Sequence, residues 1–538
     1  MPEYPKILGP GAGLIVASNL PQIVRCRHWG ILAVLLLCRP AGAADWPQWG
    51  GTDSKNMAAG EKGLPESFVP GKKDSQAGTI DVETATNVRW ARKVCQSTYS
   101  SPVVAGGKVF LCGNEDVGVI ACMDEQTGKL LWLWKGGSKG HNFGICSTPV
   151  VDGDRLYIVN QDSVAMCLDV NGEPDGPDRR KPRVLWTFDI RKEFKTEPAD
   201  VFCGSCLVDG DLLYAPTSNG IDPLGERRHK MFLYGNRPGS KKGRIIIEDP
   251  EVYRVTSPDA PNVVVFDKKT GRLVATDEMP IAKNLLKGQW SSIGAGTVGD
   301  RRLIFYGGGD GRCYAFAPLA AVPREPVKLK TVWSCDCNPP EYKVFGDVPM
   351  IVHYYLGDSR WGGTLNNNDG KFKGMGEIIG TPVFYKNRVY AAIGRDTAMG
   401  RGRGALQCID ATKTGDITGA GKIWTYQGLD WTCSTVSIAD GLLYVADVAG
   451  RLHCVDAETG QCYWVHDTKN RAVLASTFVA DGKIYMPTPK GLYVFATGKE
   501  EKLLHRISLG APLHSTPAVA NGALYIASRQ GWIWAVAN

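Results

Sequence analysis

One phrase recurs along this chain, and the recurrence limits what it can fold into. "SSPVVAGGKVFLCG" (Ser100–Gly113) returns as "STPVVDGDRLYIVN" (Ser147–Asn160) and as "STPAVANGALYIAS" (Ser515–Ser528). Aligned on the proline, the copies begin at Pro102, Pro149, Cys206, Ile293, Pro382, Val436, Phe478 and Pro517. Each copy reads as a short strand, a turn such as "ADG" or "ANG", and an aromatic-rich strand such as "RLYIVN" or "KIYMPT". A third strand follows ("VIACMD", "LQCID", "LHCVD"). After a Thr-Gly or similar turn, a fourth ends in tryptophan at Trp132, Trp186, Trp333, Trp424 or Trp464. Four short antiparallel strands repeated eight times predict an all-β, eight-bladed propeller. The last copy, from His514, has room for only three strands, and the missing tryptophan-bearing one stands far upstream in "NVRWARKV" (Asn87–Val94). The N-terminal piece is therefore expected to complete the last blade, closing the ring without open sheet edges.

The motif has a physical reading. A Thr-Gly turn reverses the chain between strands three and four, with glycine taking backbone angles other residues resist. The tryptophan then buries a large surface between neighbouring blades. "DEQTGKLLW" (Asp124–Trp132) and "DAETGQCYW" (Asp456–Trp464) resemble the tryptophan-docking motif of PQQ-binding-like propellers. That group includes quinoprotein dehydrogenases and the BamB outer-membrane assembly factor. "DWPQWGG" (Asp45–Gly51) and "DKKTGRLVA" (Asp267–Ala275) also look like secreted bacterial members of it. The resemblance runs over residues 45–538 and implies the fold; it does not by itself imply an activity.

The first 43 residues read as an export signal. Arg25, Arg27 and His28 precede the apolar run "WGILAVLLL" and the small-x-small pattern Ala41-Gly42-Ala43. That run is too short for a membrane anchor, and a lipid anchor at Cys38 is the lesser expectation. The expected organisation is a signal over 1–43, an N-terminal arm over 44–86 and the propeller over 87–538. A periplasmic or cell-envelope location follows, as a monomer without a transmembrane span. The net charge is +7, and Lys6, Arg25, Arg27 and Arg39 against Glu3 account for three of it. No dense basic run accompanies this mild balance, so no nucleic-acid partner is expected.

Function is sought where the copies differ. Insertions at about 218–261, 338–363 and 394–404 fall on the rim bearing the loops between strands two and three. That rim is the expected binding face. Tyr99, Cys146, Cys203, Trp290, Ile379, Cys433, Ala475 and His514 share the position at the entry of the innermost strand and should ring the channel mouth. Cys146 and Cys203, on neighbouring blades, have three readings: packing, a disulfide, or a ligand or redox role. Cys122, Cys167, Cys408 and Cys454 recur at one strand-three position and read as small buried hydrophobes.

Two functions follow from the resemblance. One is a non-catalytic binding or scaffold propeller of the cell envelope, with a protein or small-molecule partner at the rim. The alternative is a PQQ-dependent dehydrogenase of alcohols or sugars, with PQQ and Ca²⁺ at the channel mouth. The resemblance implies that PQQ would sit between a tryptophan and an adjacent Cys-Cys disulfide, beside a calcium ion and an aspartate base. This sequence contains no adjacent cysteines. For such a cofactor Trp290 is the candidate stacking floor, Arg395 and Arg529 the candidate carboxylate partners, and His141 and Asn142 further mouth candidates. No residue is assigned to catalysis or to a metal. The scaffold reading is preferred.

Overall fold

The computed structural model describes residues 44–139, 143–176, 180–199, 201–220, 255, 257–285, 287–342, 344–345, 348–349, 376–395 and 403–538. Among them, the strands form eight four-stranded antiparallel blades, and the one α-helix is the single turn Ile190–Phe194. The innermost strands are Val103–Ala105, Val150–Asp152, Leu207–Asp209, Ile293–Val298, Val383–Tyr385, Ser437–Ala439, Phe478–Ala480 and Ala518–Ala520, for blades 1 to 8 in order. Blade 8 takes three strands from the C-terminus, and its fourth is Val88–Lys93, paired antiparallel to Trp532–Val536. The ring thus closes through hydrogen bonds between the two ends of the chain, as the sequence predicts. The hairpin Val69–Asp74 with Thr79–Thr86 continues blade 8 outward.

Adjacent blades are joined at two levels. Near the rim, five motif tryptophans donate their indole N–H across a blade boundary. Trp90 bonds the Glu125 carbonyl (2.8 Å), Trp132 that of Val170 (2.9 Å) and Trp186 that of Lys268 (3.0 Å). Trp424 reaches Ala457 (3.2 Å) and Trp464 reaches Gly498 (3.0 Å). The turn glycine lies under the tryptophan of the preceding blade: a Cβ on Gly128, Gly271 or Gly460 would come within 2.6–2.7 Å of Trp90, Trp186 or Trp424. These glycines also have φ of +67°, +76° and +77°. Conformation and space therefore both demand glycine. The motif aspartate holds the turn, with Asp124 Oδ1 accepting from Thr127 N (2.8 Å) and Thr127 Oγ1 (2.6 Å).

The second level lies at the axis. The Ser/Thr preceding the proline position forms a belt in which a backbone N–H of one blade donates to a hydroxyl of the next. The bonds run Ser101 to Thr148 (3.2 Å), Thr148 to Ser205 (3.0 Å) and Ser205 to Ser292 (2.9 Å). They resume from Thr381 to Thr435, Thr435 to Ser476 and Ser476 to Thr516, each 2.9 Å, and end with Thr516 to Ser101 (3.1 Å). Between blades 4 and 5 the Thr381 hydroxyl instead accepts from the Trp49 indole (3.0 Å). The "ST" of the repeat is thus an inter-blade acceptor, and it is buried.

Residues 44–61, the first part of the N-terminal arm, lie inside the ring against the innermost strands. They follow the blades in order at the end where strand one turns into strand two. Ala44 accepts from Asn521 N (blade 8), Trp46 exchanges backbone hydrogen bonds with Val104 (blade 1) and Pro47 accepts from Val151 N (blade 2). Past a tight turn, Asp53 accepts from Ala295 N (blade 4), Ser54 from Phe384 N (blade 5) and Met57 from Val479 N (blade 7). The Asn56 side chain bonds both N and O of Ile438 (blade 6), 2.8 Å each. Blade 3 is reached through Arg302, which bridges Asp209 and Asp53. Glu61 closes the circuit by accepting from Ala44 N (3.0 Å) and Asn521 N (3.1 Å). Lys55 is fully buried within this segment, its Nζ donating to Gln48 Oε1, and desolvation lowers its pKa to about 8. The base of the channel is therefore filled by the chain itself.

Gly271→Ala should lower the unfolding free energy by about 1–3 kcal/mol, because it adds a Cβ against Trp186 at positive φ. Gly419→Ala, where a Cβ meets nothing within 4 Å, should change it by no more than about 0.5 kcal/mol. Denaturant midpoints of the two variants check this.

Candidate functional site at the channel mouth

The position that precedes the hydroxyl belt by two residues forms the mouth, at the end opposite residues 44–61. Tyr99, Cys203, Ile379, Cys433 and His514 are partly exposed there, while Cys146 and Trp290 are buried. Blade 7 requires a correction. Its first turn pairs Ala480 with Lys483 as blade 1 pairs Ala105 with Lys108, so counting back places Leu474 at the mouth and Ala475 one step deeper. Leu474 is accordingly partly exposed and Ala475 is buried, its carbonyl accepting from Ser434 Oγ (3.1 Å). Thr477, one residue before Phe478, stands at the proline position of this blade.

Two clusters sit on opposite sides of the mouth. At the junction of blades 8 and 1, His514 stacks on Tyr99 with centroids 5.5 Å apart and planes 15° apart. The Arg529 guanidinium lies 4.4 Å from the Tyr99 ring centroid, and Phe143 packs on Tyr99 at 5.4 Å. Burial, with the Arg529 charge assisting, lowers the His514 pKa from 6.5 to about 4. The imidazole is therefore neutral at physiological pH, and Arg529 carries the charge of this cluster. Such a stack offers a flat π surface with a guanidinium fork beside it.

Across the mouth, Lys287 Nζ lies 6.0 Å from the Trp290 ring centroid. A Cβ on Gly288 would meet that ring at 2.5 Å, so glycine here lets the backbone pass beside the indole. The Glu377 carboxylate accepts from Lys287 N (2.9 Å) and Gly288 N (3.2 Å). Glu377 also exchanges backbone bonds with Gly394, which sets the adjacent Arg395 at the mouth, and Arg395 is buried. Cys433 Sγ lies 4.0 Å from the Arg395 carbonyl. Trp290, Arg395 and Cys433 are thus brought to one side and Tyr99, Arg529 and His514 to the other. His141 and Asn142 lie outside the described residues, as do most of the three insertions. Sequence reasoning missed Lys287 and Glu377, which carry no repeat signature. Cys146 is a thiol donating to the Phe143 carbonyl (3.8 Å), so the disulfide to Cys203 is not made in this structure.

A further polar network lies beneath the blade 5–6 side. The buried Asp447 accepts from Arg451 N (2.9 Å) and Asp430 N (3.2 Å) and pairs with His453 Nε2 (3.2 Å). His453 Nδ1 meets Tyr426 OH (3.0 Å), and that hydroxyl reaches Cys462 Sγ (3.4 Å). Asp310, in "GGGDG", accepts from Tyr314 OH (2.6 Å) and Arg312 N (3.1 Å), and burial raises its pKa to about 6.

These residues do not fit a PQQ–calcium centre. The adjacent disulfide that would face the tryptophan has no counterpart in the sequence. Buried carboxylates that could serve as calcium ligands are engaged elsewhere: Asp310 with Tyr314, Asp447 with His453 and backbone amides, and one oxygen of Glu377 with two backbone amides. Among the described residues no cluster of three or more His, Cys, Asp or Glu side chains could hold a metal.

Comparison with known proteins places the chain. The model of a PQQ-type repeat family, described as "Outer membrane protein assembly factor BamB", matches residues 74–277, 352–466 and 403–498, more than half of the sequence. The chain belongs to this family. The curated BamB proteins of Escherichia coli K12 and Shigella dysenteriae serotype 1 are each 25% identical over 183 residues, 31% of this chain and 42% of theirs. The match thus spans less than half the length of those relatives. Among solved structures, BamB from Moraxella catarrhalis is 13% identical, covering 83% of this chain and 96% of its own (TM-score 0.48). The quinohemoprotein alcohol dehydrogenase of Comamonas testosteroni is 12% identical, covering 92% and 81% (TM-score 0.44). Among the described residues of this family member, no helix is long and apolar enough to cross a membrane.

The low pKa of His514 fixes the sign of its effect. Between about pH 4 and 6.5 the unfolded chain binds a proton that the folded chain refuses. This histidine therefore makes stability fall as pH is lowered through that window. An NMR titration should show the His514 ring neutral down to about pH 4. Arg529→Gln should move that midpoint upward by removing the neighbouring charge.

Proposed function

We propose that this chain is an exported envelope protein that works by binding rather than by chemistry, engaging a protein partner through the channel mouth and its rim. Support comes from membership of a family whose model is described by an outer-membrane assembly factor. The observation that carries the reading is the asymmetry of the channel. One end is filled by residues 44–61, and the other presents the partly exposed Tyr99, His514 and Arg529, with Trp290 and Arg395 buried in the wall across from them. Aromatic and arginine side chains around a concave opening are the residue types that anchor protein interfaces. Arg529, poised over an aromatic ring, suits an acidic or carbonyl-rich segment of such a partner.

Photo-crosslinkers placed at Asp162 and Asp430, on mouth-end loops, should capture one discrete envelope partner in intact cells. Crosslinkers at Gly153 and Gly210, on turns at the filled end, should not. The reverse pattern would refute the assignment of the binding face. Titration of the purified protein with PQQ and Ca²⁺ should give neither saturable tryptophan quenching nor dye-coupled oxidation of alcohols or sugars. Quenching together with turnover would replace the binding reading with the dehydrogenase one.

A further inference from the structure

We propose that the base of the channel is a binding site for one extended peptide, that residues 44–61 are its resident ligand, and that this segment docks last, onto a ring already closed. The binding groups are backbone amides. The innermost strands carry an N–H at one equivalent position facing the axis, and Val104, Val151, Ala295, Phe384 and Val479 each give it to a carbonyl of the segment, at 2.7–3.0 Å. Ile438 gives its own to Asn56 Oδ1 (2.8 Å). These are edge-strand donors, the kind an extended chain satisfies when it is added to a sheet. Pockets between the blades take the side chains. Trp46 meets Phe478 edge-on at 5.0 Å, Met57 is buried, and Trp49 donates to Thr381 Oγ1 (3.0 Å).

The segment behaves as a ligand in its own bonding. Its internal hydrogen bonds are local turns such as Gly51 N to Gln48 O (2.9 Å), the Gln48 side chain's bonds to Asp53 and Lys55, and the end-to-end bond from Ala44 N to Glu61; its regular pairing with the propeller is two residues, Ala58 and Ala59. Its exit is an exposed joint at Lys62 and Gly63, before the hairpin that extends blade 8. Order of assembly follows from topology. The carbonyls of Trp46 through Met57 meet partners in blades 1, 2, 4, 5 and 7, so the full circuit has no site until those blades stand together. The loop entropy of contacts spanning most of the chain is overcome only then.

A protease site inserted between Lys62 and Gly63 tests this in the full chain. After cleavage, the N-terminal fragment should co-elute with the propeller. A fluorescent synthetic peptide of residues 44–62 should replace it in native buffer, and the same peptide with Trp46→Ala should bind at least roughly tenfold more weakly. Entry of the peptide only at denaturant concentrations that unfold the blades would overturn the proposal, as would fragment loss with no change in thermal midpoint. Should the insertion prevent folding, hydrogen exchange on the unaltered chain decides. The amides of Val104, Val151, Ala295, Phe384 and Val479 should exchange as one group, roughly tenfold or more faster than Leu111 and Ile158 in the second strands. Exchange of all of these at a single global rate would refute separable docking.

Discussion

Eight sheets set radially around an axis each leave one strand edge facing inward, and a bare edge is a row of unmet backbone hydrogen-bonding groups. This protein satisfies those edges twice over. Toward the mouth, a belt of Ser and Thr hydroxyls accepts amides from blade to blade. Toward the base, a single stretch of chain travels round the ring and takes an inner-strand amide from each of blades 1, 2, 4, 5, 6 and 7. The tryptophans and turn glycines between blades set the spacing that lets both systems close.

The repetitive part of this design was legible because repetition multiplies weak signals. A Thr-Gly turn before a tryptophan says little once, but several copies at a fixed offset define a blade. The uneven division of blade 8 could be inferred because the last copy lacks the one element that Asn87–Val94 supplies. Residues 44–61 gave no such purchase. Their partners lie far away in sequence, 476 positions for Asp45 with Asn521, and no period links them. "DWPQWGG" carried family likeness without location; the structure shows Trp46 packing over Gly51 to make the turn that crosses the channel.

The mouth was half legible for the same reason. A position shared by all copies identifies a ring of side chains, but the chemistry of that ring depends on residues outside the repeat. Lys287 and Glu377 come from blade connections, and nothing in their spacing marks them. The misplacement of Ala475 shows the sensitivity of such reasoning to register: one residue separates a side chain at the opening from one in the wall. The overlooked acceptor role of the "ST" pair has a different origin, since a hydroxyl next to a turn has many uses and only neighbouring blades reveal which applies.

The cysteines of strand three bear on the protein's durability. Cys122, Cys167, Cys408 and Cys454 each stand directly across the sheet from the motif tryptophan of their own blade: Trp132, Trp186, Trp424 and Trp464. All four are buried, and desolvation drives every one of these thiols upward, Cys408 to about 11 and Cys167 and Cys454 to about 12. Thiol exchange needs the thiolate and an approach path, and these sites supply neither. One such sulfur in each of blades 1, 2, 5 and 6, paired across the sheet with a tryptophan, leaves the molecule with four thiols poorly placed for exchange. It can carry many cysteines through an oxidising environment without those four scrambling its ring.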